Sequence, residues 1–218
     1  MKIAEDKVQF PLEELNRGRQ IIYQMFAHLF LGEWKQWERE LAVVAEEIQW
    51  FKTLASKYDD EQVPFIFEQR FMVPGPYYIP PYASYHHRQS AQGVGVSQES
   101  LHEVTKEELL SLLELYEQMK FYLPVERGEQ PDHLSMQFRF MQSLIASEEE
   151  GYAISDGEYL RQIYQIEFRF IEQYLQSWLP RFCEKLLAAE SHPFVQQITA
   201  FIPSFIEEDY KELRQNLG

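Results

Sequence analysis

Four groups of residues have types and spacings that could perform chemistry. His86 and His87 are adjacent and His133 is distant in sequence, so a three-histidine metal site is conceivable. Adjacent side chains point to different sides of most backbones, however, and no fourth ligand stands out, so hydrogen-bonding histidines are the simpler account. Glu99 and His102 make one Glu-x-x-His step, but a di-iron bundle needs two on separate helices. Cys183, the only cysteine, sits between Phe182 and Glu184 with no base nearby in sequence, the setting of an inert buried thiol. The Asp132–His133 pair follows Gln130–Pro131 at a helix start. Asp132 is expected to cap the free N–H groups there, favoured by the helix dipole. His133 is expected to project from the first turn with a near-neutral pKa. Without an activated serine or cysteine, the couple suits recognition or capping better than hydrolysis. Gly-rich phosphate cradles and H-E-x-x-H are absent, so no nucleotide, metal or other cofactor is expected.

The elements that must position these residues repeat with helical period. Ile21, Ile22, Met25, Phe26, Leu29 and Phe30 mark a first helix ending near Gly32, and Trp34 to Phe51 a second. A shorter helix covers 62–72, with Pro64 tolerable in its first turn. Thr105 with Glu108 reads as a capping box opening the next helix. Leu134, Phe138, Met141, Leu144 and Ile145 form a stripe after Asp132, and a long helix runs from Asp156 to about Trp178. Pro180 redirects the chain into a short helix with Phe182 and Leu186. Phe194 to Ile206 begins the last helix, which Pro203 should kink. Alternating strands are absent. The expectation is an all-α, single-domain bundle over 1–218, with about seven to nine helices.

The stretch from Val73 to Ser97 is expected to be a long loop. It carries Pro74, Pro76, Pro80 and Pro81 together with Tyr77, Tyr78, Tyr82 and Tyr85. Long loops in compact domains are commonly functional, and a proline-rich aromatic loop loses little entropy on binding.

Composition narrows the partners. The 218 residues are 45% hydrophobic and 15% aromatic, an ordinary globular balance. Lys and Arg number 20 against 35 Asp and Glu, a formal −15, which argues against nucleic acid and favours basic ligands. The start, MKIAEDKVQFPLEEL, has no signal-peptide pattern, and no stretch reaches the ~18 apolar residues of a membrane span. A cytoplasmic protein without stable membrane insertion is expected.

Two segments carry a resemblance. VPGPYYIPPYASYHH (73–87) and QPDHLSMQFRFMQSLI (130–145) together resemble the TorD/DmsD/NarJ family of cytoplasmic chaperones for molybdenum-containing redox enzymes. That family has a Pro-rich loop ending in an aromatic-x-Ser-aromatic step, then an E-P-D-H-L helix. The resemblance implies an all-helical, non-enzymatic protein. Its partner would be a molybdoenzyme catalytic subunit, bound through the twin-arginine signal peptide or another region until the cofactor is inserted. The family's binding features carry over to Tyr82, Ser84 and Tyr85, and to Pro131, Asp132 and His133. Gln130 departs from the usual Glu, and Met136, Gln137 and Phe138 replace a more acidic stretch. Asp132 would then meet an arginine guanidinium through a charge-assisted contact, with Tyr82 and Tyr85 stacking on it or on the apolar segment.

Two other roles remain open: an assembly subunit retained in an oxidoreductase complex, and a helical metal-dependent hydrolase using His86, His87, Asp132 and His133. The oligomeric state is open between a monomer and a domain-swapped dimer.

Overall fold

A computed structural model of the chain describes residues 12–92, 98–124 and 130–217. The first helical stripe folds as α1 (Leu12–Leu31). It stops where Gly32 takes φ +67°, with Gly32 N–H donating to Leu29 O and Glu33 N–H to His28 O. This left-handed close satisfies two end carbonyls, and only glycine enters it without strain.

The expected second helix is two: α2 (Trp34–Glu47) and α3 (Gln49–Ala55), separated by an extended Ile48. Then α4 (Gln62–Phe67) runs into a π-turn over Glu68–Met72, where Val73 N–H donates to Glu68 O.

The stretch expected as a loop from 73 to 97 is corrected by the structure. Irregular chain runs only from Val73 to Tyr82, and α5 (Ala83–Gln92) follows, so Ser84 and Tyr85 lie on a helix. Residues 93–97 lie outside the described residues. The capping box at Thr105 is also corrected, because α6 (Gln98–Gln118) begins upstream and carries Thr105 within it. Its hydroxyl accepts from Arg88 Nε at 3.4 Å instead.

Next come α7 (Leu134–Ile154) and α8 (Gly157–Phe170), the latter capped by Asp156 accepting from Tyr159 N–H. The long helix expected to reach Trp178 changes to a π-turn over Ile171–Leu175. Pro180 sits in the first turn of α9 (Leu179–Ala189), and Pro203 lies inside α10 (Pro193–Leu217). The described residues thus hold ten α-helices, beyond the seven to nine expected, with one isolated antiparallel bridge between Tyr82 and His133.

The core is built from phenylalanine. α1 packs along α7, where Phe26 and Phe30 meet Phe138 with ring centroids 5.3 and 6.3 Å apart. Trp37 meets Phe194 edge-on at 5.3 Å. Such pairs add ~0.5–1.5 kcal/mol beyond area burial. α7 is buried on nearly all sides over its first two turns, as expected of a central helix. At its far end a Cβ on Gly151 would lie 2.8 Å from Leu160 Cδ2, so glycine lets α8 approach.

One polar cluster ties four helices together. Arg19 of α1 donates through Nη1 to Glu148 of α7 at 2.6 Å and through Nε to Asp209 of α10 at 2.5 Å. Its Nη2 also meets Glu167 of α8. Asn16 and Tyr23 donate to Glu148 and Asp209. All three carboxylates are buried. Burial and the neighbouring Glu148 raise the Glu167 carboxyl well above 4.5, against the pull of Arg19.

Among the described residues no helix is long and apolar enough to cross a membrane, and no group of three His, Cys, Asp or Glu could hold a metal ion. The side chains of Glu99 and His102 lie outside the described residues.

Candidate functional site

The segments before α5 and α7 cross as a short antiparallel bridge. Leu134 N–H donates to Pro81 O at 2.9 Å, and Ala83 N–H donates to Asp132 O at 3.2 Å. Two helix N-termini therefore start at one point, with their free N–H groups facing each other's entering strands.

At this crossing the capping differs from the sequence reading. Asp132 does not cap its own helix: its Oδ2 accepts from Ser84 N–H at 2.8 Å and caps α5. α7 is capped by His133, whose Nδ1 accepts from Ser135 N–H at 3.2 Å and lies 2.5 Å from Ser135 Oγ. A ring nitrogen that accepts leaves the proton on Nε2, so the imidazole is neutral. The expected near-neutral His133 projecting from the first turn is corrected. It is buried, and burial pushes its pKa down to about 4. Its ring packs edge-on against Tyr82 with centroids 4.9 Å apart. Pro131 is buried as well, and its carbonyl accepts from Tyr116 Oη at 3.0 Å.

The two other histidines have structural duties. His86 is buried, faces Pro80 O through Nε2 at 2.9 Å and stacks on Trp178, and its pKa falls to about 4 through burial. His87 lies 3.0 Å from Glu108 and 3.2 Å from Ser177. Cys183 is buried, which pushes its thiol well above the usual range.

A cleft of about 360 Å³ opens beside the crossing. Ser84 and His87 of α5 form one side, Glu107 and Glu108 of α6 another, and Asp132 and Gln137 the inner end. Gln173 and Tyr174 from the second π-turn close it. Among the described residues, no lysine or arginine lines it.

Of the six residues singled out from sequence, the structure brings five to the crossing: Tyr82, Ser84, Pro131, Asp132 and His133. Only Ser84 and Asp132 of these line the cleft. Tyr85 points elsewhere, with its hydroxyl accepting from Gln89 and Lys185 lying 5.6 Å from its ring. Sequence reasoning gave Glu107, Gln173 and Tyr174 no role, and gave Glu108 only a place in a capping box. Gln137 had a usable signal, since it stands one helical turn beyond His133.

The family described as the nitrate reductase delta subunit matches residues 37–184, from within α2 into α9. The chain belongs to this family. Its members are redox-enzyme maturation chaperones of the TorD/DmsD/NarJ type, which act with molybdoenzyme catalytic subunits, so this chain is a redox-enzyme maturation chaperone. The match takes in the crossing and every cleft residue, whereas Arg19 and Asp209 lie outside it. No curated protein matches the chain.

Proposed function

We propose that this chaperone holds an arginine-bearing segment of its client in the cleft beside Asp132. The segment is the twin-arginine signal peptide of a molybdoenzyme catalytic subunit, retained in the cytoplasm until the cofactor is in place. The observation that carries this reading is the charge of the cleft: Asp132, Glu107 and Glu108 line it together, and among the described residues no lysine or arginine does. A guanidinium entering there gains charge-assisted, two-pronged contacts with carboxylates. The formal −15 of the whole chain speeds encounter with a basic segment, most of all at low salt. Neutral, buried His133 and buried Pro131 act by fixing the backbone that presents Asp132. Tyr82 holds that backbone from the other strand, and Tyr85 offers an aromatic edge outside the cleft.

Calorimetric titration of the purified protein with twin-arginine leader peptides tests this. The family's description makes the nitrate reductase catalytic subunit the first client to try. Binding at about micromolar Kd or tighter, ~8 kcal/mol, and lost when the paired arginines are replaced, is the expected result. Heat-silent titrations with every leader would reject it.

A further inference from the structure

Beside the inner end of the cleft lies a hydrogen-bond donor from which no described residue accepts. Gln137 is fully buried and borders the cleft. Its Oε1 accepts from Trp178 Nε1 at 3.3 Å. Indole nitrogen only donates, so this contact sets the amide's orientation: turned over, it would place two donors face to face. The amide Nε2 is thereby left on the other side, where no group of the described residues accepts from it. A buried donor without a partner works against folding, and an apolar side chain of similar size would avoid the cost.

We propose that this amide is a carbonyl-binding subsite, on which the bound client segment rests a main-chain carbonyl while its arginine meets Asp132, Glu107 and Glu108. The inference rests on the peptide-binding reading above and adds the uncharged part of the ligand. The neighbouring carboxylates decide which acceptor it takes. They repel a ligand carboxylate or phosphate, so the acceptor is neutral, and a peptide supplies a neutral carbonyl next to every arginine. The opposite wall is the π-turn bearing Gln173 and Tyr174, an irregular helical turn of the kind found at functional sites. Nε2 is itself closed off here, so the carbonyl reaches it only as that wall shifts outward on binding.

The probe is acetyl-Arg-Arg-N-methylamide, added to the isotopically labelled full chain and followed by NMR at the Gln137 side-chain amide. The dipeptide is expected to shift this signal, whereas guanidinium chloride, which has no carbonyl, leaves it in place. Gln137→Met should weaken dipeptide binding about tenfold, ~1.4 kcal/mol. Its unfolding temperature should be unchanged or higher, because Trp178 Nε1 keeps the Tyr174 carbonyl at 2.7 Å. A purely structural glutamine predicts the reverse: a lower unfolding temperature with affinity intact. Binding that leaves the Gln137 signal unmoved, or no perturbation of any cleft residue, overturns the subsite. Leaders that fail to bind while the dipeptide moves Gln137 overturn the signal-peptide reading and leave the subsite standing.

Discussion

At the Arg19 cluster three buried carboxylates meet one guanidinium and the donors of Asn16 and Tyr23. At the cleft Glu107 and Glu108 line one side and Asp132 the inner end, and among the described residues no lysine or arginine lines it and none answers the amide of Gln137. The cluster sets its charges against one another within the protein, with Glu167 Oε1 left without a partner, and joins four helices. The cleft balances its carboxylates less completely: Glu108 faces His87 and Asp132 accepts from Ser84 N–H, with no guanidinium among the described lining residues. Charges closed on one another hold a fold, whereas charges left open on a cavity wall select what enters it.

The hardest blow to that contrast is Arg19→Met. Removing the cation leaves buried carboxylates uncompensated, at a cost of ~3–5 kcal/mol in chemical denaturation. Leader affinity of the folded fraction should not change. If stability holds and affinity falls, the two regions have been assigned the wrong way round.

The regions should also answer pH in opposite directions. Glu167 keeps its proton to higher pH in the folded chain than unfolded. Its stabilising contribution is therefore complete below 4.5 and is lost as pH rises through its raised value. Glu167→Gln should remove that decline. At the crossing, His133 has its pKa lowered from 6.5 to about 4. Its contribution is complete above 6.5 and is lost as pH falls, by up to ~3 kcal/mol. Denaturation series across pH should show His133→Asn flattening the loss on acidification and Glu167→Gln the loss as pH rises.

Asp132 serves both regions' purposes at once, so two substitutions are needed to separate them. Asp132→Ala should lose ~1–2 kcal/mol of stability with the α5 cap and ~1.5–3 kcal/mol of leader binding. Asn is as good a cap as Asp, so Asp132→Asn should keep the stability and lose the binding. Equal affinity for leader in Asp132→Asn and the parent would end the case for a charged contact. The smallest effect is expected from Tyr85→Ala, under ~0.5 kcal/mol in either quantity, since this exposed residue stands outside the cleft.

Much of the bundle was legible because helical period is a local signal. The stop at Gly32, the stripe from Leu134 and the turn at Pro180 all stand where their residues put them. What escaped was non-local. α5 has no capping residue of its own in sequence: Tyr82 precedes it, and the cap comes from Asp132, 48 positions away from Ser84. A helix capped from afar reads as continuing loop, and the residue that caps it reads as serving its neighbour. Thr105 failed for a related reason, since its hydroxyl serves Arg88 rather than a helix end. The crossing residues could be picked out individually. The wall from α6 and the π-turn could not, because no spacing links Glu108 to Asp132.

The bridge between Tyr82 and His133 has a bearing on the order in which the chaperone becomes competent. Helical turns form within about a microsecond, but closing so long a stretch of chain waits on a much larger loss of entropy. During synthesis α5 emerges without its cap, and neither wall of the cleft has its inner end until the segment around Asp132 has been made and docked. A nascent chaperone therefore has no finished cleft. Under the proposed peptide-binding role, capture begins only after the second half of the molecule has closed onto the first.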